Sequence, residues 1–495
     1  MKPCTFVKIT LLLLALLFAF SLWQRQPDID DAWIGEHAYW MAEKGYVKSE
    51  LMHGITQQHI RHIVHHKFFT LLGASFVGIF GFSLFTLKSV SLLGLIAFLW
   101  IFYLYQKKNS SDGALWVGLL LLASNAFIFQ YAFVYRPEMV VMMLGFVSFI
   151  ALERSIKDSY SYKWLIVSGL FAGLAAATHL NGLIYVSAGG LLLLIKRKPL
   201  QAIILGLAAI PTFAIYFYDF TREFGINYWI YQVKDAPALH NSGMLPDWLW
   251  LLEKPFREQM RFFHSPKEIS LTVLFLFLLI AGFKKIRLQQ KDLLIYLGML
   301  ILSLSSITVH STSKYLMLYL PVMIVFMSRT FALLVFNDHQ SFSMHTIHKN
   351  SRSYWAIGLF VIYFFVQMFW NIDISVKKFN PQNNRRFTEK YFGKQSAKLN
   401  VLAPMNFIFN EITHYNRIQG DLGFADLQKT GMPMHGRYLL HYSDSIGLDY
   451  LIVTNEYKTK FGIDTLSEPQ RNKSGFKTVE INSNFEILKN EHRLP

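Results

Sequence analysis

"ITLLLLALLFAFSLWQRQPDIDDAWIGEHAYWMAEKGY", residues 9–46, sets an unbroken apolar run directly against a cluster of carboxylates. The run at 9–23 follows Lys2 and Lys8 and lacks a small-x-small cleavage site, so it reads as a retained membrane anchor. Beyond it, Asp28, Asp30 and Asp31 precede an aromatic segment that reads as a helix stopped by Gly45. Carboxylates at the mouth of a membrane helix are costly and mark a use. Three uses are open: a helix cap, a metal site, or the base of an enzyme working at the membrane surface. One aspartate suffices as the cap, Asp28 being able to share that role, and another is left facing the membrane surface. Trp33, His37 and Trp40 fall on one helical face and suit interfacial anchoring.

The anchor chemistry continues along the chain. Of 495 residues, 53% are hydrophobic and only 16% charged, and the mean hydropathy is positive, which places the chain among α-helical polytopic membrane proteins. A span takes roughly 20 apolar residues. Eleven runs qualify, near 9–23, 86–105, 114–133, 138–153, 164–179, 182–195, 200–219, 269–283, 292–309, 315–336 and 354–371. With the N-terminus in the cytoplasm, "QKKNSSDG", "ERSIKDSYSYK", "KRKP", "KKIRLQQKD" and "NDHQSFSMHTIHKNSRS" fall inside, and all carry Lys or Arg. The outer turns "VYRPE", "THLNG" and "VHSTSK" are short and less basic, as the positive-inside bias requires. The net charge of +16 is therefore a topology signal, and nucleic acid is not an expected partner. Cys4 is the only cysteine, which excludes an intrachain disulfide.

Two outer connections are long. One covers residues 24–85, and the other, 221–268, is rich in Trp, Tyr and Phe that suit the headgroup zone. After the last span, "KLNVLAP", "GLDYLIVT", "FKTVEI" and "FEILK" read as short strands among helices. The expected organisation is a transmembrane domain at 1–371 and a small α/β domain at 372–495, which parity puts outside the cytoplasm.

Several residues could carry chemistry. "QQHIRHIVHHKFF" (57–69) reads as an amphipathic surface helix, with Ile60, Ile63 and Val64 as its apolar stripe and His59, His62 and His66 elsewhere. His62 and His66 at i, i+4 are the minority alternative, a divalent metal pair; no cofactor is otherwise expected. Arg136 and Glu138 flank Pro137 at the outer ends of two spans, and His179 and Lys314 lie at the same boundary. A carboxylate beside such cations suits transfer of a sugar from a lipid phosphate. The cations stabilise the anionic leaving group, the carboxylate takes the acceptor proton, and one direct displacement inverts the anomeric centre.

With these residues in place, the sequence resembles the GT-C integral-membrane glycosyltransferases, most nearly the protein O-mannosyltransferase and aminoarabinose (lipid A) transferase superfamily. "DDAWIGEHAYWMAEKGY" resembles the first-loop acidic pair and aromatic helix, and "HHKFFTLLGASFVGIFGFSLFTLKSVSLL" the segment after it. "YRPEM", "GLFAGLAAATHLNGLIYV" and "SKYLMLYLP" resemble the later turn, the Gly-rich span and the Lys-Tyr helix, in the family order. The resemblance implies Asp30 as acceptor-activating carboxylate beside Asp31, with His66, Lys67, Arg136, Glu138, His179, Lys314 and Tyr315 meeting substrate or phosphate. It implies a polyprenyl-phosphate-linked sugar donor and a lipid, glycan or protein acceptor on the outer face of a bacterial inner membrane. The sequence departs from the pattern at three places: a Pro-Pro pair is replaced around His66 and Lys67, His179 stands for a lysine, and Trp33 and Ile34 occupy the stretch where the aminoarabinose transferases have an arginine. An O-antigen polymerase or ligase, dependent on Arg257 and Arg261, and a transporter or flippase are the competing readings.

Overall fold

The computed structural model describes residues 3–23, 25–53, 55–234, 250–308, 312–336, 351–377, 380, 382–408, 411–426, 433–463, 466–481 and 485–493. The expected cytoplasmic loop 337–353 and the middle of the second long loop therefore lie largely outside the described residues. Helices α1 (Pro3–Leu22), α2 (Ile29–Lys44), α3 (Lys67–Phe80), α4 (Leu84–Asn109), α5 (Asp112–Ser124) and α6 (Ala126–Tyr131) form the first third. They are followed by α7 (Glu138–Lys157), α8 (Tyr162–Thr178), α9 (Leu183–Ile195), α10 (Pro199–Phe213) and α11 (Ile226–Lys234). The membrane part closes with α12 (Trp250–Arg257), α13 (Gln259–Phe262), α14 (Pro266–Gln289), α15 (Lys291–Ile307), α16 (Leu320–Val335) and α17 (Ser351–Val376).

Each of the eleven expected spans is occupied by helix. Six helices are long and apolar enough to cross a membrane among the described residues: those within Thr5–Leu22, Leu84–Asn109, Glu138–Lys157, Pro199–Phe217, Pro266–Ile286 and Ser351–Val376. The expected span 114–133 is broken between α5 and α6, because the Asn125 side chain takes the N–H groups of Phe127 and Ile128 at 3.1 and 3.2 Å and starts a new helix. Two expectations for the first long loop change. Residues 57–66 are turns rather than an amphipathic helix. Thr56 and Gln57 have positive φ, and the N–H groups of His62 and Ile63 bond to Val47 O and the Gln232 side chain instead of to their own segment. The helix there is α3, an apolar one that begins at Lys67 and falls inside the stretch expected to be loop.

Helix α2 forms as expected, with a different cap. Asp28, extended at φ −86° and ψ 157°, accepts the N–H of Asp30, and Asp31 returns the bond to the Asp28 N–H at 2.8 Å, closing a capping box. Gly45 ends the helix at φ 71°, a left-handed position suited to glycine. His37 is buried rather than interfacial, and Glu36 is a buried acceptor for the Ser49 hydroxyl at 2.6 Å and the Trp40 indole at 2.9 Å.

The C-terminal domain holds α18 (Gln382–Tyr391), β1 (Asn400–Leu402), α19 (Met405–Ile408), β2 (Arg417–Gln419), α20 (Leu422–Asp426), α21 (Gly436–Ser445), β3 (Tyr450–Thr454), α22 (Asn455–Phe461), α23 (Glu468–Lys473), β4 (Phe476–Ile481) and β5 (Phe485–Asn490). The sheet runs β2-β1-β3-β5-β4, parallel across the first three strands and antiparallel beyond. Four strands match expectation. β2 was not anticipated. Phe407 and Ile408 of α19 share one apolar core with Ala32 of α2 and Leu51 of the first long loop. The domain is thereby seated on the helix that carries Asp30.

Close helix contact in the bundle depends on glycine. Gly169 and Gly173 of α8 lie four residues apart against α10, and a Cβ at Gly173 would stand 2.1 Å from the Ala209 carbonyl. We expect Gly173→Val to lower the thermal transition of the purified protein by many degrees. Gly190→Ala, whose Cβ would meet open space, should leave it unchanged or raise it slightly. Equal transitions for both variants would contradict this packing.

Candidate functional site

The site is built where α2 begins, α7 begins, and the turns before α3, α9 and α16 meet. Arg136 is its centre. The guanidinium is buried and bidentate on Glu138, with Nε to Oε2 at 3.0 Å and Nη2 to Oε1 at 2.5 Å. Its remaining nitrogen, Nη1, contacts Asp30 Oδ2. The Arg136 carbonyl accepts the Ser91 hydroxyl at 3.2 Å, which ties the turn to α4. Asp30 makes no other side-chain contact among the described residues, and its side chain stays 14% exposed.

Asp31 is differently placed. One oxygen takes the Tyr135 N–H at 2.6 Å, the other takes the Asp28 N–H, and Lys88 stands 3.1 Å away. Both oxygens are engaged in a fully buried pair, so Asp31 fastens α2 to α4 and to the turn before α7. In this it differs from Asp30, beside which it was expected to act. Lys67, expected to meet phosphate, is likewise paired inside the protein. Its ammonium lies 2.6 Å from Asp219 Oδ1, and His65 bonds the other oxygen of Asp219 at 3.0 Å. That buried cation is neutralised inside the protein and is not free to meet a phosphate. Asp219, 152 residues away in the chain, had no motif to announce it.

His66 and His179 are brought together, their rings stacked at 4.5 Å and 20°, and Tyr315 meets His179 edge-on at 5.8 Å. Burial drives the His66 imidazole down to about 4 and the His179 imidazole down to about 3. His179 Nδ1 accepts the Asn181 N–H at 3.0 Å, so its neutral ring carries the proton on Nε2. Lys314 is half-buried, close enough to feel Arg136, Glu138 and Asp28, and burial lowers its pKa. It has no ion-pair or hydrogen-bond partner among the described residues. An anionic group entering the site would find Lys314 available and Arg136 already fixed.

Arg261 was weighed as a polymerase residue. It is wholly buried and bonded to Glu258 at 2.7 Å, to the Thr312 carbonyl at 2.5 Å and to Thr308 at 3.2 Å, while lying over Tyr315 at 5.5 Å. It holds the turn that presents Lys314 and Tyr315. Nothing in the sequence marked that role, because Thr308 and Thr312 lie 47 and 51 residues further along the chain. His62 and His66 do not share a helical face, since residues 57–66 are not helical. Among the described residues no group of three His, Cys, Asp or Glu side chains is arranged to hold a metal ion.

The buried imidazoles set a pH dependence. Their folded pKa values lie below the unfolded value of 6.5, so the unfolded chain takes up protons that the folded chain refuses. Their stabilisation is complete above that value and declines as pH falls toward about 4 and about 3, by up to about 1.4 kcal/mol per pH unit for each group. Thermal unfolding in detergent should fall on acidification from about pH 7.5 to about pH 5.5. A His66→Gln/His179→Gln variant should show a shallower fall, and an unchanged slope would contradict the assignment.

No protein-family model matches the sequence, and no curated protein matches it. Solved structures do. The chain is similar to ArnT from Cupriavidus metallidurans in its apo state, with 11% identity and a TM-score of 0.56 over 98% of both chains. It is equally similar to ArnT bound to undecaprenyl phosphate, at 11% identity and TM-score 0.56 over 99% of this chain and 98% of that one. The archaeal oligosaccharyltransferase AglB from Archaeoglobus fulgidus, in complex with an inhibitory peptide and a dolichol-phosphate, matches at 10% identity and TM-score 0.55 over 99% of this chain and 75% of its own. The chain has the fold of the GT-C glycosyltransferases.

Proposed function

We infer that the protein is a glycosyltransferase that moves a sugar from a polyprenyl-phosphate donor to an acceptor hydroxyl on the outer face of the inner membrane, with inversion. The observation that carries this reading is the triad of Asp30, Arg136 and Glu138 with Lys314 uncommitted beside it. Two structural neighbours hold lipid phosphates, undecaprenyl phosphate in one and dolichol-phosphate in the other. Their fold supports a lipid-linked donor for this chain.

The chemistry follows from the site. Asp30, whose Oδ1 is uncommitted, takes the proton of the acceptor hydroxyl as the oxygen attacks the anomeric carbon. General-base help of this kind contributes roughly 10²–10⁴-fold. The bond from that carbon to the phosphate oxygen breaks, and the negative charge left on the phosphate is met by Lys314 and by the Arg136 face turned toward it. Glu138 keeps Arg136 in place and balances it while the site is empty. The neutral His179 ring, with its proton on Nε2, can donate to a phosphate or sugar oxygen without adding charge. The acceptor is a lipid, glycan or protein hydroxyl.

The polymerase alternative is disfavoured by Arg261, whose donors are spent on Glu258, Thr308 and Thr312. A transporter is disfavoured by the grouping of charges at the ends of the helices rather than at their middle.

Asp30→Asn should leave the thermal transition within a few degrees and reduce transfer by about 10²–10⁴-fold. The readout is mass spectrometry of envelope lipids and glycans from a deletion strain complemented with each form. Wild-type product from the Asp30→Asn strain would remove Asp30 from the mechanism. Lys314→Gln should weaken undecaprenyl phosphate binding by roughly tenfold, the scale of one charge-assisted contact. Lys67→Gln, if it folds, should weaken it far less.

A further inference from the structure

Helix α6 has six residues, fewer than the roughly 12–15 that an isolated helix needs to hold its own shape. Both of its ends are pinned by buried side chains. At the start, Gln367 of α17 accepts the Ala126 N–H at 2.8 Å, beside the Asn125 cap. At the finish stands the buried Arg25, from the segment between α1 and α2. Its Nη1 donates to the carbonyls of Phe129 and Gln130 at 2.6 and 3.2 Å, and its Nη2 donates to the Ser21 hydroxyl at 2.6 Å. Those carbonyls are acceptors of the kind that a helix end leaves open. The guanidinium also lies over the rings of Phe18 and Phe129, 5.2 and 4.9 Å from their centres. The last residue of α6, Tyr131, is thereby held in one place.

That place is the site. Arg136 lies over one face of the Tyr131 ring, 5.9 Å from its centre. Asp28, Glu138 and Glu268, the last from the first turn of α14, are close enough for their charges to bear on the phenol. The side chain is half-buried, and its hydroxyl has no hydrogen-bond partner among the described residues. The Tyr296 and Tyr319 hydroxyls also lack partners but are sealed from solvent, whereas that of Tyr131 is not. The reaction proposed above gives it no task.

Its surroundings decide what it can meet. Three carboxylates near the ring disfavour a phosphate there, yet carboxylates accept readily from hydroxyl groups. The ring offers an apolar surface for C–H groups, and its hydroxyl can donate and accept. A polyol with one apolar face, which is to say a sugar ring, answers both. Resting on the glycosyltransferase reading, we propose that Tyr131 contacts the sugar being transferred. The exposed part of its ring packs on the sugar C–H face and its hydroxyl bonds a sugar hydroxyl, while the lipid phosphate lies with Lys314.

The test compares two lipids on the full-length protein by native mass spectrometry. One is undecaprenyl phosphate; the other is the lipid-linked sugar extracted from the deletion strain, where unused donor accumulates. Tyr131→Phe removes only the unpartnered hydroxyl and should weaken binding of the sugar-loaded lipid by about 2–10-fold. Tyr131→Leu removes the ring as well and should weaken it by about tenfold or more. Both variants should bind undecaprenyl phosphate within about twofold of wild type, a difference between lipids that a merely damaged site would not produce. Unchanged binding of the sugar-loaded lipid in Tyr131→Leu, or an equal loss of both lipids, would overturn the role of Tyr131 alone. Wild type that binds neither lipid would overturn the glycosyltransferase reading, and the role of Tyr131 with it.

Discussion

The guanidinium of Arg136, held between Asp30 and Glu138, is the interaction around which this end of the molecule is arranged. A cation at the membrane boundary is tolerated only when carboxylates and backbone groups enclose it. Here the enclosure also fixes the elements that supply the partners. Asp30 comes from the first turn of α2, Glu138 from the first turn of α7, and the carbonyl of Arg136 receives Ser91 from α4. The neighbouring residue, Tyr135, gives its N–H to Asp31 and stacks on Phe69 of α3 at 4.5 Å. Two consecutive residues thus stitch four helices together.

Charge near this centre is sorted by partner rather than by residue type. Asp31 and Lys88 neutralise each other in a fully buried pair, and so do Lys67 and Asp219. Such pairs add little net stability, but removing one member strands a buried charge. They secure α2 and α3 while contributing no free charge to a substrate. Lys314 and Asp30 are the groups left with capacity, one cationic and one anionic, beside an arginine that is already balanced. The proposed reaction draws on that pair, the cation for a phosphate leaving group and the carboxylate for a hydroxyl acceptor.

Much of this was legible in the sequence, and the reasons differ by element. Apolar runs separated by basic loops gave all the expected spans, because length and charge asymmetry are properties of single segments. The placement of Arg136, Glu138, His179 and Lys314 at span ends was legible from the apolar runs, and the structure sets Arg136 and Glu138 against Asp30. Three things could not be read. The helical periodicity at 57–69 was real, but long-range bonds from Val47 and Gln232 claimed the backbone N–H groups and left turns. The roles of Asp31 and Lys67 were hidden, since Lys88 and Asp219 lie far along the chain. The neutrality of His179 follows from burial, which no spacing reports.

The most direct test is a structure of the protein with undecaprenyl phosphate bound. The phosphate is expected beside Lys314 and Arg136, within reach of His179 Nε2 and with Asp30 on the side where an acceptor would enter. A phosphate seated instead on Lys67, with the Asp219 pair broken, would contradict the account.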